Sequence, residues 1–164
     1  TITCTAPTKT FNLAGLQISN ILISNPELRR LFRQEIIRTG YSQPNIMGLV
    51  ACRAAYEHGA RWLDELMAYI GSNLNFVRSF LASELPQIHL VEPEGTYLLW
   101  LDFRALGLTD RELDDLIVNK AKLWLDAGTM FGAGGTGFQR VNIACPRSLL
   151  EQAMKQLKEA VSSL

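Results

Sequence analysis

Two periods of hydrophobic and polar residues occur along this chain, and each change of period marks a new element. Ile2 to Thr5 alternates apolar and polar side chains, as a strand does. Leu16 to Ile23 is apolar and β-branched and predicts a second strand. Ala6 to Gly15, between them, is rich in turn formers. Asn25-Pro26 opens a helix, because proline suits the first helical position. Leu28, Leu31, Phe32, Ile36 and Ile37 recur at helical spacing over residues 27–39, and Gly40 stops them. Residues 42–56 predict a second helix around Met47, Leu49, Val50 and Ala54. A third, over 60–84, carries Leu63, Leu66, Ile70, Leu74, Val77 and Leu81 on one stripe, and Pro86 ends it.

The remainder predicts a small α/β unit. Residues 88–91 and 96–103 are strand-like. Thr109 with Glu112 forms a capping box for a helix over 110–120. Residues 123–125 predict a short strand, 128–137 a flexible glycine-rich loop, and 138–144 another strand. Ser148 with Glu151 suggests a second capping box. Leu149, Leu150, Ala153, Met154, Leu157 and Val161 give the last helix an apolar face. No internal repeat is visible.

Composition narrows the function classes. The 164 residues suit one domain, or a domain plus part of another, and 48% of them are hydrophobic. Sixteen basic and sixteen acidic side chains cancel, which removes the electrostatic case for nucleic acid or a membrane surface. No apolar run reaches the roughly 18–20 residues that span a bilayer. Cys4, Cys52 and Cys145 are an odd set without CxxC spacing, expected as reduced thiols in the cytoplasm. His58 and His89 stand apart from any metal-ligand spacing, so no metal site is expected. The chain opens on Thr1-Ile-Thr-Cys-Thr without a leading Met or turn, a strand already under way. It is expected to be cut from a longer protein.

Three segments carry candidate chemistry. Lys9 sits in a hydroxyl-rich turn between Thr8 and Thr10. A lysine held there could act as a nucleophilic amine with hydroxyls ready for an anion. By itself the pattern also fits a solvated surface lysine. Arg140 lies within an apolar strand, where period two places Arg140 and Asn142 on one face and Val141 and Ile143 on the other. A half-buried arginine needs an anion, and its fork matches a carboxylate. An internal salt bridge or an edge-strand position would satisfy it equally. Gly95, before a strand, suggests close approach of the backbone to something. The run Phe131 to Gly137 is no phosphate loop, because a strand follows it rather than a helix.

Together these segments resemble one family. APTKTFNLAGLQ, residues 6–17, resembles the active-site lysine segment of fold-type I pyridoxal-5′-phosphate (PLP) enzymes, in particular the MalY/PatB group of cystathionine β-lyases and related aminotransferases. EPEGTYLLWLDF, residues 92–103, resembles the strand that enters their small domain. GFQRVNIACPRSLLEQA, residues 137–153, resembles their carboxylate-binding arginine strand and final helix.

The resemblance implies an α/β fold, the C-terminal part of the type I PLP-dependent transferase fold. Residues 1–60 would end the large, lysine-bearing domain, 61–84 form the interdomain helix, and 85–164 make the small domain. It implies that Lys9 carries PLP as a Schiff base, that Thr8 lies near the cofactor phosphate, and that Arg140 holds the substrate α-carboxylate. Tyr41 and Ser42 would approach the neighbouring subunit of a homodimer. The implied activity is carbon–sulfur β-lysis of an amino acid, with transamination as the alternative. Ala6 and Gln17 stand where many aminotransferases have serine and arginine, which favours the lyase group. The family's ring contacts precede its lysine, so the isolated chain is expected to be inactive. A further reading is a non-catalytic fragment or a dimerisation module.

Overall fold

The computed structural model describes residues 1–41 and 43–164. The chain divides into two compact units, Thr1–Met67 and Ala68–Leu164.

In the first unit, β1 (Thr3–Thr5) pairs antiparallel with β2 (Asn20–Leu22), with Cys4 opposite Ile21. The second strand is shorter than its apolar run predicts. Ala14–Leu16 winds into a 3-10 turn, and Gln17 caps it at φ +50°. That left-handed residue interrupts the extended backbone before Asn20. Helix α1 spans Pro26–Arg38, and the Asn25 side chain accepts a 3.0 Å hydrogen bond from the Leu28 amide. Helix α2 spans Ile46–His58 under an Asn45 cap. It starts later than predicted, because Asn45 supplies the capping oxygen. Ser42 lies outside the described residues. Gly48 brings α2 close to the preceding segment, since a Cβ there would stand 2.9 Å from the Leu16 carbonyl oxygen. Helix α3 (Ala60–Glu84) has the predicted limits, and the division between the units falls within it.

The second unit holds an antiparallel sheet in the order β3 (His89–Val91), β4 (Leu98–Asp102), β6 (Phe138–Asn142), β5 (Asp126–Ala127). Its alternation follows the predicted period. Leu99, Leu101, Gln139 and Val141 are buried, while Trp100 and Arg140 face the other way. Ile70, Val77 and Leu81 of α3 belong to the same buried set, with Leu150, Met154, Leu157 and Val161 of α5 (Arg147–Val161).

Four local expectations need correction. Helix α4 keeps its Thr109–Glu112 capping box but is short, Asp110–Asp115. A π-helical turn over Leu116–Lys120 follows, and it buries both Leu116 and Ile117. The short strand falls on Asp126–Ala127, not on 123–125, because the register with Arg140 and Gln139 decides the pairing. The glycine-rich loop is a built structure of two 3-10 turns, Gly128–Phe131 and Ala133–Gly135. Gly128 and Gly135 meet so closely that a Cβ on Gly135 would lie 1.9 Å from the Gly128 oxygen. The Ser148–Glu151 capping box does not form, because α5 begins earlier, after Pro146. A distant side chain replaces it, since the Arg147 amide donates to the Tyr69 hydroxyl at 2.7 Å. Leu149 consequently stays exposed.

Candidate active site

Lys9 sits at the head of a turn closed by backbone hydrogen bonds on both sides. The Phe11 amide donates to the Pro7 carbonyl at 2.9 Å, and the Leu13 amide donates to the Thr8 carbonyl at 2.9 Å. Pro7 is buried, Thr8 is half-buried and Lys9 is exposed. The turn is fastened by Phe11. Its ring stacks on Trp62 at 6.1 Å between centroids and meets Tyr56 edge-on at 6.0 Å. Gly59, between α2 and α3, makes room for that ring, since a Cβ there would stand 2.5 Å from Phe11 Cε1. The sequence therefore places a primary amine on a fixed backbone two residues from an aromatic anchor. Sequence reasoning missed this anchor; its signal was an aromatic residue at each of positions 11, 56 and 62 with a glycine at 59.

Arg140 lies in the second unit, on the internal strand β6, which removes the edge-strand reading. A cross-strand row runs Trp100–Arg140–Asp126. The guanidinium pairs with one oxygen of Asp126, from Nε at 3.0 Å and from Nη2 at 2.6 Å. One face of the group stacks on Phe131 at 4.7 Å from its centroid. Phe131 in turn meets Trp100 edge-on at 5.5 Å. The internal ion pair that the strand pattern allowed is thus present, and Asp126 is its partner. Asn142 shares the Arg140 face and accepts from the Ala144 amide at 2.8 Å.

Other sequence candidates are placed as follows. A Cβ on Gly95 would meet no described atom, so the expected close approach is not made by this chain. Thr96 beside it takes the left-handed backbone instead, at φ +63°. Tyr41 is exposed. Cys4, Cys52 and Cys145 are free thiols, and burial pushes that of Cys145 up, away from the reactive thiolate. Among the described residues no helix is long and apolar enough to cross a membrane.

No protein-family model matches the chain. Single proteins match over almost its whole length. It is 43% identical over 161 residues to cystathionine β-lyase PatB of Bacillus subtilis, covering 98% of this chain and 42% of that protein. It is 34% identical to the protein MalY of Escherichia coli, again over 98% of this chain and 41% of the relative. Among solved structures, cystalysin from Treponema denticola, which contains a pyridoxal 5′-phosphate cofactor, superposes with a TM-score of 0.94 at 38% identity, over 99% of this chain and 41% of that one. A PLP-bound C-S lyase from Staphylococcus hominis superposes at 0.86 with 31% identity, over 98% of this chain and 41% of that one. The chain spans about two fifths of the length of these relatives. It carries a C-terminal part of the PLP-dependent aminotransferase fold and is similar over almost its whole length to cystathionine β-lyase PatB and to MalY.

Proposed function

We propose that this chain is part of a PLP-dependent carbon–sulfur β-lyase that acts on amino acids, with Lys9 as its reacting amine. The turn around Lys9 carries this reading. It offers a primary amine on a backbone held at both ends and a hydroxyl on the half-buried residue Thr8 beside it. Those groups suit a cofactor with an aldehyde and a phosphate. Lys9 would hold PLP covalently through Nζ, and the Thr8 hydroxyl would approach the phosphate. When bound, the cofactor supplies an electron sink for charge developing at the substrate α-carbon.

The remaining work falls to the protein. Arg140 fixes the substrate through its α-carboxylate and so orients the Cα–H bond. Lys9 Nζ takes the α-proton as a general base. A thiolate then leaves the β-carbon, and hydrolysis of the remaining enamine to pyruvate and ammonia completes β-lysis. If Lys9 Nζ instead delivered that proton away from the substrate α-carbon, and hydrolysis released the keto acid, the outcome would be transamination. The same lysine and arginine serve both, and Ala6 and Gln17 favour the lyase.

In this reading residues 1–60 complete the cofactor-binding large domain, 61–84 link the domains, and 85–164 form the small domain. The whole enzyme is a cytoplasmic homodimer, and the 164-residue chain alone is inactive. The test is Lys9→Ala in the whole enzyme, assayed for pyruvate from L-cystathionine and for keto acid from amino donors. Loss of pyruvate release supports the reading. Full turnover by Lys9→Ala would remove the lysine from the mechanism, and a wild-type enzyme that gives keto acid from amino donors but no pyruvate from L-cystathionine would be an aminotransferase.

A further inference from the structure

Arg140 presents two edges and two faces to its surroundings, and they are used unequally. The Nε/Nη2 edge is taken by a single oxygen of Asp126, and one face lies on Phe131. Among the described residues nothing bonds to Nη1. The side chain is 31% exposed and that of Asp126 is 40% exposed, so the pair is within reach of a solute. Both carboxylate and guanidinium rise from neighbouring strands in direct register, which fixes their separation through the backbone.

We propose that Asp126 is a positioning residue that clamps the Nε/Nη2 edge of Arg140 and so reserves the Nη1 edge for an α-carboxylate. The inference rests on the reading of Arg140 as the carboxylate-binding residue. An arginine on a four-bond stem loses rotamer freedom when it binds an anion. A partner that has already fixed its plane removes that cost from ligand binding. Asp126 also limits what the site accepts. It neutralises most of the arginine's charge, so a bare anion gains little, whereas a planar carboxylate that fits the free edge gains directed hydrogen bonds. The ammonium group of an amino acid meets no added repulsion from this neutral pair.

The test uses the whole enzyme with its cofactor and L-alanine, which has the α-carboxylate and no leaving group. Two readouts are taken by NMR. The first is rotation of the Arg140 guanidinium about its Nε–Cζ bond, which needs no ligand. The second is L-alanine affinity from β5 and β6 amide shifts, in wild type, Asp126→Ala, Asp126→Asn and Arg140→Ala. The proposal expects slow rotation in wild type and in Asp126→Asn, which keeps an acceptor oxygen, and fast rotation in Asp126→Ala. It expects Asp126→Ala to bind L-alanine about tenfold more weakly, with Asp126→Asn close to wild type. Equal or tighter binding by Asp126→Ala would overturn it, because Asp126 would then be a competitor for the arginine. Fast rotation in wild type would overturn it as well. If wild type binds no L-alanine, or Arg140→Ala binds it as well as wild type does, the carboxylate reading of Arg140 fails instead. The rotation measurement still decides the clamp.

Discussion

Asn73, fully buried on α3, donates a 2.8 Å hydrogen bond to the carbonyl oxygen of Ile143 just past the end of β6. Its second amide hydrogen goes to the Cys145 carbonyl at 3.0 Å, and its own oxygen accepts from Arg147 Nε at 2.8 Å. One side chain thus satisfies the turn that follows the Arg140 strand. Asn73→Ala strands the carbonyl of buried Ile143, at a cost of about 1–3 kcal/mol. Thermal or urea unfolding should show this loss. Asn73→Leu, similar in volume but without donors, should be no better.

Phe11 and Gly59 form a matched pair beneath the Lys9 turn. A methyl on Gly59 intrudes on both the Ala55 carbonyl oxygen and the Phe11 ring, and overpacking of this kind costs about 1–3 kcal/mol. Gly59→Ala should lower the melting temperature and shift Trp62 emission, because Trp62 stacks on Phe11. Phe11→Ala together with Gly59→Ala should recover little, since the anchor is then missing and the contact with the Ala55 carbonyl remains.

The glycine-rich loop makes a sharper prediction. Gly135→Ala forces its Cβ onto the Gly128 backbone, which no side-chain adjustment relieves. We expect a loss of about 3 kcal/mol or more. We also expect a changed environment at Phe131, which ends the first turn of the loop and carries the Arg140 guanidinium. Gly134→Ala meets open space and should be close to neutral in unfolding experiments.

Acid should weaken two local contacts in a defined sense. The Thr109 amide and hydroxyl hold the Glu112 carboxyl below its ordinary value, and Arg104 does the same to Asp102. A carboxylate more acidic in the folded chain than in the unfolded one stabilises the fold above its unfolded pKa. That contribution disappears as pH falls through the folded pKa. Stability should therefore decline from about pH 5 downward, where carboxylates of the unfolded chain begin to take protons. Glu112→Gln and Asp102→Asn should each flatten the decline in melts run from pH 7 to pH 3.

Much of the fold was legible because its signals were local. The stripe of α3 runs for many turns and Pro86 closes it, so both limits of the helix were readable. The Thr109–Glu112 box and the alternation of β6 are likewise written in adjacent residues. What was missed depends on partners distant in sequence. The start of α5 is satisfied by Tyr69, whereas Ser148 and Glu151 offered only a local imitation of a cap. β5 forms where β6 offers a register, not where the leucines stand. At the candidate site, Lys9, Thr8 and Arg140 could be named from motifs. The Asp126 clamp and the Phe11 anchor could not, because each joins segments that only the fold brings together.

Whether Lys9 is the cofactor lysine is tested most directly in the whole enzyme, loaded with PLP, reduced with borohydride and mapped by peptide mass. A reduced adduct on Lys9, lost in Lys9→Ala, is the predicted result. An adduct elsewhere with Lys9 unlabelled, for example scattered over Lys120, Lys122, Lys155 and Lys158, would contradict it.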